Sequence, residues 1–293
     1  NLNDNNPSFT SNATFSANEN QTAIGTVTAS DADGDILTFN VSGSELEITS
    51  AGILTFVSAP DYETKTSYIA TVSVSDGTNS TTQDITVNVT NLNDNSPVFT
   101  SDANFSADEN QTSIGTLTAT DADGDTITYS ISGTDSESVS INSSSGVLTF
   151  NSAPNYESKT SYSIVASASD GVNETNQNIT ITINNINEAP AFTSSTSFSA
   201  DENQTAIGTV TATDADGDGI VYSISGSDIT INSSTGVITF ASAPDYETKS
   251  AYTETVTATD GTNAATQNIT VNITNLPNVS GVAYTSRYSV MDS

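Results

Sequence analysis

Histidine, cysteine and tryptophan are absent from the 293 residues, and only four Lys and Arg stand against 35 Asp and Glu. Without His or Cys there can be no Ser-His-Asp triad, thiol nucleophile, redox dithiol or zinc site of the usual ligands. A formal net charge of -31 repels phosphate backbones and anionic lipid heads, which makes nucleic acid and membrane surfaces poor partners. No apolar run reaches the roughly 18 residues that a spanning helix needs, so no membrane insertion is expected. The chain opens at Asn1, with no Met and no signal peptide, and is expected to be processed or excerpted. What is left is carboxylate, amide and hydroxyl, which is hard-cation chemistry.

Hydrophobic residues make up only 34%, yet their order argues against disorder. Ile24-Gly-Thr-Val-Thr-Ala29, Ile85-Thr-Val-Asn-Val89 and Ile179-Thr-Ile-Thr-Ile183 alternate with period two and are rich in β-branched residues. That is the pattern of strands buried on one face. No window carries a helical apolar stripe, so the fold class is all-β.

Four motifs recur three times. Glu-Asn-Gln-Thr begins at Glu19, Glu109 and Glu202, and Asp-Ala-Asp-Gly-Asp at Asp31, Asp121 and Asp214. Asp/Asn-Tyr-Glu begins at Asp61, Asn155 and Asp245, and Asp-Gly at Asp76, Asp170 and Asp260. The interval is 90 to 94 residues, and the step from Asp/Asn-Tyr-Glu to Asp-Gly is always 15. The length varies elsewhere: eight residues separate Gly43 from Gly52, but twelve separate Gly133 from Gly146. A loop there tolerates insertion. Each copy reads as seven short strands, in the first near 8–15, 23–30, 36–42, 46–49, 53–57, 68–75 and 83–90. The expectation is three tandem immunoglobulin-like Greek-key β-sandwiches in an elongated array. Residues 1–5 are a linker from a preceding repeat, and the repeats span 6–93, 94–187 and 188–276. The tail, 277–293, is the first strand of a further domain or a donated strand.

The acidic residues gather at strand ends and joints. Alternate strand ends lie at opposite poles of a sandwich. The first joint would therefore collect Glu19, Asp61, Glu63, Asp94, Asp121, Asp123 and Asp170. Crowded without cations, these would repel by something on the order of several kcal/mol. Ca2+ takes six to eight oxygens of this kind, so about two or three ions per joint would balance the charge. Singly, each Asp-Gly is best read as a hairpin turn. Jointly, 20 of the 35 acids fall on these positions, and a solvated acidic surface would not sort itself so. An alternative loop of the helix-flanked type at Asp214-Ala-Asp-Gly-Asp-Gly219 fails, because its twelfth residue is Ser225 and its flanks read as strands.

In order and spacing, these motifs, with Asn91-Leu-Asn-Asp-Asn-Ser-Pro-Val-Phe99, resemble the calcium motifs of tandem cadherin repeats over nearly the whole chain. The resemblance implies extracellular sandwiches whose joints bind about three Ca2+ and a cell-surface role in adhesion. It implies that Glu19, Asp61, Glu63 and Asp94 bridge the inner ions of the first joint. Asn93 and the carbonyl of Asn95, with Asp121, Asp123 and Asp170, would hold the outermost ion, and the carbonyl of Leu92 would fill a gap. At the second joint the roles pass to Glu109, Glu157, Asn187, Glu188, Asp214, Asp216 and Asp260. There Asn155 replaces an Asp, Glu188 replaces the linker Asp and Ala189 replaces Asn95, so weaker binding or one ion fewer is expected. Asp4, Asp31, Asp33 and Asp76 form half a site at one end, and Glu202, Asp245 and Glu247 another half at the other.

Lys65, Lys159 and Lys249 each follow a Tyr-Glu pair by two residues. They read as surface lysines moderating the acidic cluster, rather than as partners in an intramolecular Lys–Asn cross-link. Tyr62, Tyr156 and Tyr246 read as core or corner tyrosines. Carboxylate pairs can hydrolyse glycosides, but here each sits among several others, which suits metal and spoils separate acid and base roles. No enzyme is expected. The composition suggests a bacterial or archaeal source. The reading is a calcium-rigidified stalk or filament segment that mediates adhesion through like repeats of the same or neighbouring chains, up to a homopolymer. The alternative is a module that binds surface polysaccharide, or an accessory domain of a larger secreted protein.

Overall fold

The computed structural model describes residues 2 and 4–277, so the expectations for residues 278–293 lie outside the described residues. The chain divides into two compact units. One comprises residues 1–154 with 161–183 and the other 155–160 with 184–293.

The first repeat is built from nine strands: β1 (Ser8–Phe9), β2 (Thr14–Asn18), β3 (Ala23–Thr26), β4 (Ala29–Ser30), β5 (Thr38–Val41), β6 (Leu46–Ile48), β7 (Ile53–Phe56), β8 (Ser67–Ser75) and β9 (Ser80–Thr90). One sheet runs β2-β9-β8-β5, the other β3-β7-β6, and β1 pairs with β4. The strand expected over 8–15 is thus two strands, because the backbone amides of Thr10 and Ser11 both turn to the carbonyl of Thr28. The chain then leaves β4 and joins β9 in parallel, Thr14 opposite Thr86. The expected strand over 23–30 is likewise broken at Val27, whose amide bonds the carbonyl of Gly52. The same plan recurs in the other two repeats. The parallel pairing returns between Ser197–Asp201 and Ala264–Thr274.

Alternation sets the core. In β9, Ile85, Val87 and Val89 turn inward and meet Leu54, Phe56 and Val72. The third repeat encloses its own cluster of Ile238, Val256, Ile269 and Val271. The first and third repeats therefore each bury an apolar cluster of their own, as sandwiches do and solenoid repeats do not. Gly52 shows how tight the sandwich is: its φ is +83°, and a Cβ there would lie 2.2 Å from the carbonyl oxygen of Val27. The longer loop of the second repeat contains a 3-10 turn, Ser136–Ser138.

Candidate metal centre

Each repeat buries one glutamate at the end of its first long-sheet strand. Glu19 follows β2, is 2% exposed, and accepts the backbone N–H of Leu92 and of Tyr62, both at 2.8 Å. It ties the Asp61-Tyr-Glu63 loop to the chain leaving β9. Alternation alone would place a residue here toward the core, and these two donors explain how a carboxylate tolerates it. Glu202, 4% exposed, repeats the arrangement with Leu276 at 2.7 Å and Tyr246 at 3.2 Å. Glu109 is also buried, at 1%.

Around Glu19 the first unit gathers what the sequence grouped. Carboxylate oxygens of Glu19, Glu63, Asp94 and Asp123 lie within 4.8 Å of one another. A cavity of about 260 Å3 is lined by Glu19, Asn20, Asp61, Glu63, Asp94, Asn95 and Ala122. Asp123 Oδ2 accepts the N–H of Asp94 at 3.1 Å and of Asn95 at 2.9 Å. Asp121 and Asp123 form a second group with Asp125. Asp170 joins through Asn173, whose amide reaches Asp170 Oδ2, Asn93 Oδ1 and the carbonyl of Asn95. The same motif positions converge at the start of the chain. There Asp33 Oδ2 accepts the N–H of Asp4 and Asn5, Asn79 Nδ2 donates to the carbonyl of Asn5, and Asp31, Asp33 and Asp35 cluster.

The electrostatics divide these groups. Burial, with the charges of Glu19 and Asp123 nearby, pushes the Glu63 carboxyl above its ordinary value. Desolvation pushes Asp123 the same way, but hydrogen bonds from Asn95 and Asp94 outweigh it and hold its carboxyl below the ordinary value. Asp31 Oδ2, Asp121 Oδ2 and Asp214 Oδ2, the same atom in each repeat, are buried without a hydrogen-bond donor. A buried, donorless carboxylate oxygen beside other carboxylates is costly unless a cation completes it. The donor set is oxygen throughout, so it fits a hard cation rather than a soft one.

In the second unit, Glu188 donates its N–H to Asp216 Oδ2 at 2.9 Å, and Asn187 Nδ2 donates to Asp260 Oδ2 at 2.8 Å. Asn155 keeps the turn that Asp61 makes, since its Oδ1 accepts the N–H of Ser158 at 2.8 Å. Asn155 and Glu157 belong to the second unit and Glu109 to the first. Glu202, Asp245 and Glu247 form a group of their own, which Asn275 joins by donating to Glu247.

Two expectations need correction, and Asn95 has a part beyond its carbonyl: its side-chain amide donates to Asp94, Asp123 and Glu63. Lys65 and Lys249 do not serve the clusters. They pair with Glu45 at 2.6 Å and Asp228 at 2.7 Å and lie over the rings of Tyr68 and Tyr252. Tyr246 is not a core residue, being 37% exposed. The corner hydroxyls belong instead to Tyr129 and Tyr222, which accept the N–H of Ala119 and Ala212. The sequence reading also missed Asp35 and Asp125, Asn20, whose amide donates to Asp94, and Asn173. All sat in the repeated motifs, where the Asp-Gly pairs at Asp76, Asp170 and Asp260 are each followed by Asn, at Asn79, Asn173 and Asn263.

The profile of the Cadherin domain family matches residues 103–184 and 196–274. Protocadherin Fat 4 of Mus musculus is 32% identical over 287 residues, covering 86% of this chain but 6% of its own length. Cadherin-23 of Homo sapiens is 33% identical over 255 residues, covering 76% of this chain and 8% of its own length. Among solved structures, human CDH23 EC21-23 superposes with a TM-score of 0.62 at 24% identity, covering 91% of this chain and 99% of that one. Mouse Cadherin-23 EC22-24 gives 0.58 at 24%, covering 93% and 100%. This chain thus spans a small fraction of its curated relatives and the full length of three-repeat fragments.

Proposed function

The chain belongs to the cadherin family, and on that premise we propose that it is a calcium-binding structural and adhesive segment whose joints are stiffened by Ca2+. Cadherin repeats are extracellular modules of a non-enzymatic adhesion fold, and this is an extracellular segment of that kind. The observation that carries the calcium reading is the donorless buried oxygen of Asp121, grouped with Asp123 and Asp125, of which Asp123 also belongs to the Glu19 group. Glu19, Asp61, Glu63, Asp94, Asp121, Asp123 and Asp170, with Asn93 and the carbonyls of Leu92 and Asn95, would hold two or three ions. Each ion neutralises two of the charges that otherwise repel.

The repeat boundaries proposed are 6–93, 94–187 and 188–276, which follow the recurrence of the motifs. The proposed partners are like repeats on the same or neighbouring chains, which makes the segment part of a stalk or filament. The Asn- and Thr-rich, acidic composition supports a bacterial or archaeal source. Small-angle scattering in millimolar Ca2+ and in EGTA tests the stiffening, and calorimetric titration tests binding. Loss of a rigid profile on chelation supports the proposal. A profile indifferent to EGTA, with no heat of binding, overturns it.

A further inference from the structure

The first and third repeats carry the same pocket in the same place. In the third it has a volume of about 270 Å3 and is lined by Ser227, Asp228, the Ala241–Asp245 stretch, Thr248 and Tyr252. In the first it has about 180 Å3, between Ser44, Glu45, Val57, Ser58, Ala59 and Tyr68. The backbone register is identical: the N–H of Ala241 bonds the carbonyl of Asp228, and that of Val57 bonds the carbonyl of Glu45, each at 2.9 Å. In both, a lysine ammonium is locked between the carboxylate and the tyrosine ring, at 2.7 Å and 4.1 Å for Lys249. That ring in turn packs edge-on against Phe240, as Tyr68 does against Phe56.

We propose that these two pockets each bind one neutral sugar ring. Clefts for drug-sized ligands run from roughly 300 Å3 upward, so these accommodate a single ring rather than a chain. The third-repeat pocket mixes apolar lining, from Ala241, Ala243, Pro244 and Tyr252, with polar lining from Ser227, Ser242, Thr248, Asp228 and Asp245. A sugar has the same mixture, C–H groups beside hydroxyls that both donate and accept. The ammonium–carboxylate pair supplies a donor and an acceptor already fixed by the tyrosine, which lowers the ordering cost of binding. Asp228 and Asp245 outweigh Lys249, and the whole chain is at -31, so an anionic ligand is repelled. The second repeat differs at this point: the N–H of Asn151 bonds the carbonyl of Ser138, so a serine stands where the other two repeats carry an acid. The inference is independent of the calcium reading and shares only Asp245 with it.

The test is a 15N NMR titration of the 293-residue chain with glucose, galactose, mannose and N-acetylglucosamine, with glucuronate as the anionic probe, in Ca2+ and in EGTA. The expected result with at least one neutral sugar is saturable shifts at residues 44–45, 57–59, 227–228 and 241–248, at a Kd on the order of millimolar, as few contacts allow. Residues 136–151 should stay still. Asp228→Ser should abolish the third-repeat response and spare the first. Ala243→Leu, which fills the pocket without touching the ion pair, should do the same. No shift with any of the four sugars, equal shifts in the second repeat, binding unaffected by both variants, or a preference for glucuronate would each overturn the proposal. Because the first pocket lies apart from Asp245, failure of the calcium reading would leave its response intact in EGTA.

Discussion

Replacing Glu19 with Ala separates two roles that a buried carboxylate can play at a metal joint, strut and ligand. The strut role needs no ion. Two backbone N–H groups, Leu92 and Tyr62, donate to Glu19 at 2.8 Å, and hydrogen bonds to a charged group contribute about 1.5–3 kcal/mol each. Their loss should cost about 3 kcal/mol or more. Against this, removing Glu19 relieves repulsion from the carboxylates within 4.8 Å. For solvated neighbours that relief is about 1 kcal/mol per pair before screening. At low salt the two effects nearly compete. In about 1 M NaCl the Debye length falls to about 3 Å, the repulsion is screened, and the hydrogen bonds dominate. The assay is thermal unfolding in EGTA with 1 M NaCl, read locally through amide exchange at Leu92 and Tyr62. For a domain of this size each kcal/mol moves Tm by about 4–8 °C, so a fall on the order of 10 °C is expected. The exposed Glu47, changed to Ala, should shift stability by less than about 0.5 kcal/mol. A Glu19→Ala chain as stable as its parent at high salt, with both amides exchanging as before, would refute the strut argument.

Asp94→Ala should lower calcium affinity in the first unit by tenfold or more, about 1.4 kcal/mol, and leave the Glu202, Asp245 and Glu247 group unaffected; calorimetric titration resolves the two. Gly124→Ala should cost about 1–2 kcal/mol, since its φ is +80° but nothing lies within 4 Å. Gly146→Ala, at φ +70° with a Cβ placed 2.2 Å from the Leu117 carbonyl, should cost about 3 kcal/mol or more by urea denaturation. Lys249→Met should cost only about 0.2–1 kcal/mol, because the pair with Asp228 is half exposed. The hydrogen bond from Lys249 to Asp228 raises its pKa above the usual 10.5, so its contribution is present at neutral pH and fades as pH climbs through that raised value. Asp260 shows the opposite sign. The N–H groups of Thr262 and Asn263 hold its carboxyl below the usual 3.8, so its stabilisation is complete at neutral pH and is lost as pH falls through the depressed value. In EGTA, Asp260→Asn should flatten the acid limb of the third repeat's unfolding, followed by circular dichroism.

Much of this was legible because the chain repeats itself. A period of two in Ile85-Thr-Val-Asn-Val89 and Ile179-Thr-Ile-Thr-Ile183 gave strands, and the threefold recurrence of the acidic motifs gave three sandwiches. What alternation cannot show is where a strand changes sheet. Residues 8–15 look like one extended run, and only the turn of Thr10 and Ser11 toward Thr28 reveals the switch from β4 to β9. The carboxylates were legible by type and spacing, but the amides between them only in part. Asn20 and Asn173 recur with the motifs, but Asn95 does not recur at the second linker, its counterpart there being Ala189, so its three-way donation shows only in the fold. The lysines misled for a related reason. Sequence proximity to Glu63 and Glu247 suggested service to the clusters, whereas the partners, Glu45 and Asp228, lie about 20 residues away and across the fold.

The amides bear on how such a site can bind. Carboxylates arranged only by their own repulsion would splay apart, and an ion would have to order each of them on arrival. Here Asn95, Asn173 and the backbone amides of Asp94 and Asn95 already hold Asp94, Asp123 and Asp170 in register. The buried Glu19 fixes the loop that carries Glu63. Part of the ordering cost is thus met by folding, which leaves more of each ion's binding energy as affinity. The second linker keeps the backbone amide of Glu188 and the amides of Asn187 and Asn263 but lacks the Asn95 part of this device, since Ala189 replaces it and has no side-chain amide to give. Restoring it with Ala189→Asn should raise calcium affinity there severalfold, while Asn95→Ala should lower it at the first joint by a like factor. Equal affinity in parent and variant at both positions would mean that the ions order the carboxylates unaided, and that the amides merely occupy space between charges.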